Sequence, residues 1–181
     1  MYGMFEYCTK LTSLDLSHFD TSNVTNMYSM FLNCSNLNSI DLSHFDTSKV
    51  TNMGFMFSEM GNITSINFGN FNTEQVTTMA NMFANDESFT SIDVSVFDTS
   101  SVKNMTYMFK GCSGLTTLNL TNFDTHSVTD MSYMFNRCTN LTSVNVSSFN
   151  TSAVTTMEAM FYECPNLRSL DLHNFSTPSL T

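Results

Sequence analysis

The sequence has no tryptophan, only two prolines and six glycines, and few charged residues. Asp, Glu, Lys and Arg make up 12% of its 181 residues, about half of the roughly 25% that is usual in globular domains. There are 6 basic and 16 acidic residues, so the formal net charge is −10. Because nucleic acids and anionic membrane surfaces are bound by clustered positive charge, this composition argues against both kinds of partner.

Sequence motifs of catalysis and membrane insertion are missing too. No run of about 18 apolar residues, the length that a membrane-spanning helix needs, occurs in the chain. A glycine-rich phosphate loop, a G-x-S-x-G elbow, a C-x-x-C pair and a Cys/His zinc spacing are also absent. We therefore expect no enzymatic activity, no cofactor, no metal and no membrane insertion of this segment.

What the sequence does contain is a repeat of 26 residues. Phenylalanine recurs at this spacing without exception, at Phe19, Phe45, Phe71, Phe97, Phe123, Phe149 and Phe175. Counting the repeat from Leu11 gives full units at 11–36, 37–62, 63–88, 89–114, 115–140 and 141–166, with partial units at 1–10 and 167–181. We interpret residues 1–181 as a single repeat array and expect it to be a fragment of a longer protein.

Each unit combines two hydrophobic periodicities. Residues 14–17 alternate apolar and polar, which predicts a strand with one buried face. The second half of the unit has apolar residues at helical spacing: Val24, Met27, Met30, Phe31 and Cys34. Since one unit cannot bury its apolar side alone, neighbouring units should stack. We predict an α/β solenoid, a right-handed coil with a parallel sheet on one face and short helices on the other; a three-sided parallel β-helix is the alternative.

The motifs of the unit resemble a known family. Leu11-x-x-Leu14-x-Leu16-x-x-Phe19 is similar to the strand segment of a leucine-rich repeat, with Phe where Asn or Cys is usual. The longer motif F-D-T-S-x-V-T-N-M-x-x-M-F-x-x-C resembles the 26-residue repeat of BspA-like leucine-rich-repeat surface proteins, found in mycoplasma lipoproteins and in surface proteins of other bacteria. The resemblance covers the whole chain. It implies extracellular, cell-surface localisation and a role in adhesion or host interaction, without enzymatic activity.

One column of the repeat carries all five cysteines: Cys8, Cys34, Cys112, Cys138 and Cys164. We predict buried free thiols, because stacked parallel side chains have poor disulfide geometry. Met60 and Asp86 replace cysteine in two units, and Phe89 stands where Leu or Ile is usual. An acidic residue in a core column predicts a local defect around residues 84–89.

The outward side of the predicted strands is the candidate ligand-binding site. Its central row, which we call the strand row, consists of Asp15, Asp41, Asn67, Asp93, Asn119, Asn145 and Asp171. His18 and His44 occupy the same place in adjacent units at the strand ends and are included in the candidate site. The row is interpreted as an acidic, polar surface for a basic or hydroxyl-rich partner, or else as a merely solvated face. A two-histidine metal site is the weaker reading of the histidines.

Two other patterns allow functional and structural interpretations. A second acidic row follows the phenylalanines, at Asp20, Asp46, Asn72, Asp98, Asp124 and Asn150. Calcium binding is conceivable there, but Asn replaces Asp freely, which favours Asx turns. The Met-x-x-Met pairs have the chemistry of copper(I) ligands, yet their occurrence in every unit favours packing in a continuous core.

The leading functional hypothesis is a non-catalytic recognition module at the bacterial cell surface, an adhesin-type segment that binds a host or matrix protein or a glycan through its sheet face. The alternative is a structural spacer or stalk that presents another domain. Ice binding through rows of threonine is a third hypothesis. Uncapped core columns at the ends of the array also predict end-to-end self-association.

Overall fold

The computed structural model describes all 181 residues. Its regular secondary structure consists of four short strands, β1 (Ser39–Asp41), β2 (Ser65–Asn67), β3 (Thr117–Asn119) and β4 (Ser143–Asn145). β1 pairs with β2 and β3 with β4, both in parallel, and each residue pairs with the residue 26 positions later. The period of the sequence is therefore also the period of the hydrogen bonding. We call the path of the chain through one repeat a coil.

A second parallel ladder joins the coils away from the strands. It consists of isolated bridges that link, in order, Asn26, Asn52, Thr78, Asn104, Asp130 and Thr156. Successive coils thus bond to each other on two sides and form a stack. One side carries the short parallel strands, and the other carries the isolated bridges.

The predicted helices are wrong: the structure contains no helix. The segment 27–34 consists of turns, and Ser29 and Asn33 lie in the left-handed region with φ of 54° and 55°. The same two positions have positive φ in the other coils. The N–H groups of Ser29 and Asn33 donate to carbonyls of the next coil, over 2.9 Å in both cases. A left-handed residue ends a right-handed helix, so this segment cannot be helical.

Tight turns explain why the apolar spacing resembled that of a helix. The N–H of Met30 donates to the carbonyl of Met27 over 3.2 Å, and that of Cys34 to Phe31 over 3.1 Å. Turns closed over three residues bring residues i and i+3 to one side, as a helix does. Alternate N–H groups, however, donate to carbonyls of the next coil, which the N–H groups of a helix do not do. On this side the parallel β-helix alternative describes the bonding better than the leucine-rich-repeat-like solenoid does.

The core is one continuous hydrophobic cluster along the stack. Its centre is a column of rings from seven coils: Phe5, Phe31, Phe57, Phe83, Phe109, Phe135 and Phe161. Neighbouring rings in this column are stacked, with centroids 5.2–5.9 Å apart. The methionines at 27, 30, 53 and 56 are fully buried beside them. Their role is packing, as the recurrence of the Met-x-x-Met pair in every unit predicted.

The sheet is interrupted between β2 and β3, where the coil 89–114 contains no strand. Phe68 and Phe89 occupy positions that hold leucine or isoleucine in most other coils, and both rings are buried. Phe68 lies edge-on against Phe97, with centroids 5.0 Å apart. The hydrogen bond from the N–H of Thr116 to the carbonyl of Thr90 is stretched to 3.4 Å. We attribute the break to these oversized rings; it lies just after residues 84–89, where the sequence predicted a defect.

Gly114 accommodates the displaced backbone beside this break. A Cβ at this glycine would lie 2.3 Å from the carbonyl oxygen of Glu87 and 2.6 Å from that of Phe89. Asn36, Asn62 and Asn140 hold the equivalent position in other coils. The corner at 87–89 therefore approaches its neighbour more closely than any side chain would permit.

No helix with the length and apolarity to span a membrane occurs in the chain.

Candidate functional site

All members of the strand row are exposed on the sheet side of the stack. Each one also has a structural role, because its Oδ1 accepts the backbone N–H two residues later, over 2.9–3.2 Å. These bonds form Asx turns at the strand ends. Sequence reasoning missed this role, although the signal was present: Asp15-x-Ser17 has the same spacing as Asp20-x-Ser22.

The Asx turns also keep the carboxylates of the strand row ionised. The backbone N–H of Ser17 is the largest cause of the lowered pKa of Asp15. Corresponding backbone hydrogen bonds lower the pKa of Asp41 and Asp171, and Ser95 lowers that of Asp93. No Lys or Arg occupies the outward strand positions next to the row. The sheet side therefore presents negative charge and hydroxyl groups to solvent, and the basic group paired with the row is His173, whose Nδ1 lies 2.7 Å from Oδ1 of Asp171.

The sheet side is shaped by three depressions that differ in chemistry. The largest, about 590 Å³, lies over β3 and β4 and is lined mostly by residues with hydroxyl and amide groups, with Asp171 at one side. A second, about 350 Å³, lies between residues 91–95 and 117–122. The smallest, about 160 Å³, lies at the break, and its lining includes Ile66, Ile92 and two phenylalanines. Ile66 and Ile92 are half-buried, whereas Ile40 in the same column is only 4% exposed. The break thus uncovers apolar surface within an otherwise polar face.

The two predicted histidines lie beside the strand row. His18 and His44 are both exposed, and each contributes slightly to the lowered pKa of the aspartate in its own coil, Asp15 and Asp41. No group of three or more His, Cys, Asp or Glu side chains is arranged to hold a metal ion. The structure therefore places the histidines at the margin of the row and brings no further metal ligand to them.

The second acidic row consists of Asx turns, as predicted. Its side-chain oxygens accept the N–H two residues later, over 2.9–3.1 Å, in six coils. Four more turns of the same kind follow bridging residues, for example from Asn26 to the N–H of Tyr28 over 2.9 Å. Chain reversals in this glycine-poor protein are thus closed by side chains.

A buried threonine column binds each coil to the next. Its members Thr21, Thr47, Thr73, Thr99, Thr125 and Thr151 are at most 2% exposed. Each hydroxyl donates to the backbone carbonyl 25 residues later, over 2.7–3.0 Å. The sequence suggested rows of threonine as a surface for ice but did not indicate that this column joins neighbouring coils. Because the column is buried, it offers no surface for ice.

The cysteines are free thiols aligned along the stack. Cys34, Cys112 and Cys138 are buried, and each Sγ donates to the carbonyl of a phenylalanine 29 residues earlier, over 2.9–3.1 Å. Burial raises the pKa of Cys34 to about 11 and that of Cys138 to about 12. These thiols are therefore neutral hydrogen-bond donors, which makes them poor nucleophiles.

Thiol labelling should follow this burial. We expect Cys8 and Cys164, which are only half-buried in the terminal coils, to react with iodoacetamide in the folded protein. Cys34, Cys112 and Cys138 should react only after unfolding, since both access and the thiolate are lacking. Mass spectrometry of peptides from native and urea-unfolded protein measures this directly. Rapid native labelling of Cys112 would contradict the burial of the column.

The repeat-containing sequence matches the model of a known protein family. The model of a family described as "Mycoplasma protein of unknown function, DUF285" matches residues 1–66 and 56–175. The chain belongs to this family. Its two matched segments overlap and cover almost all of the DUF285 coils described above. No curated protein matches the sequence.

A solved structure is also similar to this DUF285 chain. It is the crystal structure of a leucine-rich repeat protein from Bacteroides ovatus ATCC 8483, with 17% sequence identity and a TM-score of 0.24. The similarity covers 70% of the DUF285 chain and 42% of the Bacteroides protein. The chain thus spans less than half the length of that protein.

Proposed function

We propose that this DUF285 chain is a segment of a non-catalytic recognition protein, displayed outside the cell, whose sheet side binds a protein or a glycan. The strand row is the observation that carries the proposal. Seven exposed Asp or Asn side chains follow one another at the period of the stack, and parallel pairing aligns them between β1 and β2 and between β3 and β4. An extended partner can contact several coils of such a row at once.

The distribution of chemical groups favours recognition over catalysis. An active site needs different groups that converge in one pocket. The coils instead repeat the same carboxylate, amide and hydroxyl groups along an open face, and the depression over β3 and β4 is lined by the same types. The acidic row favours a basic or hydroxyl-rich partner, such as a matrix protein or a glycan of the host.

The motifs also support a finer family assignment. We place the repeat among the BspA-like leucine-rich repeats, because the strands β1–β4 lie on the Leu-x-x-Leu-x-Leu segments that resemble that class. Cell-surface display and adhesion are properties that this assignment implies. Turns take the place of the predicted helices, so the hydrogen bonding on that side of the coil differs from that of an α/β solenoid.

A spacer or stalk is the second candidate function. The similarity of the units and the continuous hydrophobic core favour it, since a rigid rod needs only repetition. The Asx turns also give the strand row a purpose that requires no ligand. The two candidates differ in whether the sheet side binds anything.

Binding can be tested with a variant that removes charge and preserves the turns. We expect residues 1–181 to bind members of an array of matrix proteins and glycans, and Asp15, Asp41, Asp93 and Asp171 replaced together by Asn to weaken that binding. Asn already forms the same turn in other coils, so the fold should persist. Exposed ion pairs contribute roughly 0.2–1 kcal/mol each, so four predict about a 4-fold to several-hundred-fold loss of affinity. Biolayer interferometry measures the dissociation constants.

The second acidic row provides a matched control. Replacing Asp20, Asp46, Asp98 and Asp124 by Asn removes the same net charge and also keeps Asx turns, as at Asn72 and Asn150. Binding should survive in this control. Equal loss in both variants would indicate attraction by net charge alone, and no binding by the unaltered protein would favour the spacer.

A further inference from the structure

The thiol column contains one carboxylic acid whose hydrogen bonding is incomplete. In the regular coils the thiol lies beside the backbone N–H of the column residue one coil earlier, and the N–H of Cys112 lowers the pKa of Cys138 in this way. It also donates to the carbonyl of a phenylalanine 29 residues earlier, as Cys112 does to Phe83 over 2.9 Å. Each of these thiols thus donates a hydrogen bond to the coil before it.

Asp86 occupies this position in the coil 63–88 and is 0% exposed. Its Oδ1 accepts the N–H of Met60 over 2.7 Å, whereas the corresponding N–H of Cys34 donates to the carbonyl of Phe31 in its own coil. Its Oδ2 is buried without any hydrogen-bond partner. The carbonyl that stands 29 residues earlier belongs to Phe57, and no N–H or hydroxyl donates to it. A carboxylate would leave two acceptors, Oδ2 and this carbonyl, buried without a donor.

We propose that Asp86 is held in the folded stack as a neutral carboxylic acid that completes the thiol column, its Oδ2–H donating to the carbonyl of Phe57, and that loss of this proton loosens the stack beside the break in the sheet. Because Met60 and Phe57 belong to the preceding coil, protonation would thereby control how tightly the coils at 37–62 and 63–88 hold together.

The surroundings of Asp86 favour the neutral acid. Burial is the largest cause of a pKa well above the usual range for this carboxyl, and the nearby Glu59 raises it further. The N–H of Met60 opposes these effects only in part. From the following coil Cys112 faces Asp86, and as a protonated thiol it supplies no positive charge. No Lys, Arg or His contributes to the pKa of Asp86.

The neighbouring backbone has a place where loosening can begin. The residue after Asp86, Glu87, is exposed, and the corner at 87–89 fits closely against Gly114. The coil that follows contains no strand. An ionised Asp86 would gain most by moving toward water at this corner, and on the side of the coil 89–114 no strand pairing resists such a movement.

The direction of the pH dependence follows from linkage. The pKa of Asp86 is higher in the folded than in the unfolded state, so its contribution to stability is fully present below the unfolded pKa, near 4, and is lost as pH rises through the folded pKa. Between the two pKa values the folded state binds one more proton, and the unfolding equilibrium constant rises up to about tenfold per pH unit. The exposed aspartates of the strand row, whose pKa values are lowered, have the opposite dependence.

The experiment compares urea unfolding of the unaltered protein and Asp86→Asn from about pH 4 to pH 9, with Asp86→Cys as a second variant. Asn supplies an acceptor and an N–H donor at all these pH values, and Cys restores the group present at Cys34. We expect the ratio of unfolding constants, unaltered protein over Asp86→Asn, to rise up to about tenfold per pH unit across part of this range. Asp86→Cys should resemble Asp86→Asn. A constant ratio would overturn the proposal.

Two further measurements on the unaltered protein test the neutral acid and its location without any variant. Infrared spectroscopy near pH 6, where an Asp of ordinary pKa of about 3.9 is ionised, should detect the C=O stretch of one protonated carboxyl in the unaltered protein; its absence would overturn the neutral acid. Hydrogen exchange, corrected for intrinsic pH dependence, should accelerate with pH in peptides covering 84–94 but not in those covering 141–160. Equal acceleration in both would overturn the localisation at the break.

Discussion

Replacing Phe83 by alanine is expected to lower the free energy of unfolding by about 3–5 kcal/mol, the range for a buried aromatic ring. The Phe83 ring is fully buried and lies between Phe57 and Phe109, with centroids 5.6 Å from each. It also meets the rings of Phe68 and Phe89 edge-on, at 6.4 and 6.3 Å. Removing it leaves a cavity in the middle of the stack, beside the break in the sheet.

The cooperativity of unfolding should change as well. In a stack, each coil contacts only its neighbours, so a cavity in a central coil weakens the coupling of the two halves. Urea unfolding followed by circular dichroism should therefore show a lower midpoint together with a lower m-value or two transitions.

Phe161→Ala is the control for this prediction. Phe161 is half-buried near one end of the stack and stacks on a single ring, Phe135. The substitution Phe161→Ala should lower the free energy of unfolding less than Phe83→Ala does, and it should leave the m-value unchanged. If the two substitutions were equally costly, the central ring would have no special role in joining the halves.

Replacing Thr47 by valine is expected to lower the free energy of unfolding by about 1–3 kcal/mol, because it removes two partly buried hydrogen bonds to the backbone, at roughly 0.5–1.5 kcal/mol each. The Thr47 hydroxyl donates to the carbonyl of Asn72 and accepts the N–H of the same residue, both over 2.8 Å. Thr47 is 1% exposed, so water cannot easily replace the hydroxyl. Valine has nearly the same shape, so the loss reports the hydrogen bonds and not a cavity. Chemical unfolding gives the change.

Thr51→Val is the matched control. Thr51 is exposed, and its hydroxyl donates to the carbonyl of Thr25 over 3.2 Å. Because water can take over this bond, the substitution should cost about 1 kcal/mol or less. If Thr47→Val were no more harmful than Thr51→Val, the buried threonine column would not be what joins the coils.

The strand row shows why sequence could locate the candidate site but not describe it. Alternation in residues 14–17 correctly predicted that Asp15 faces solvent, since side chains of a strand point to opposite faces. Whether such an Asp also closes a turn depends on where the strand ends. The strands are only three residues long, so the row lies at their ends and its Oδ1 atoms meet backbone N–H groups.

Asp86 shows the same limit in the core. The sequence indicated a mismatch, an acid in a column of thiols, and predicted a defect there. It could not indicate that the acid is fully buried, or that one oxygen has a donor and the other has none. We attribute the visible break in the sheet to Phe68 and Phe89 instead, because the volume of two rings disturbs the sheet more than one small carboxyl group does.

The sequence by itself determined the period, the register and the identity of the core columns, because identical residues at equal spacing are buried best when like stacks on like. Only the tertiary structure decided how the second half of each coil is built. Apolar residues three apart fit both a helix and a run of tight turns, and local spacing cannot distinguish them. Bonds to the next coil select the turns, since the N–H groups of residues such as Ser29 and Asn33 find their acceptors there and not within their own segment.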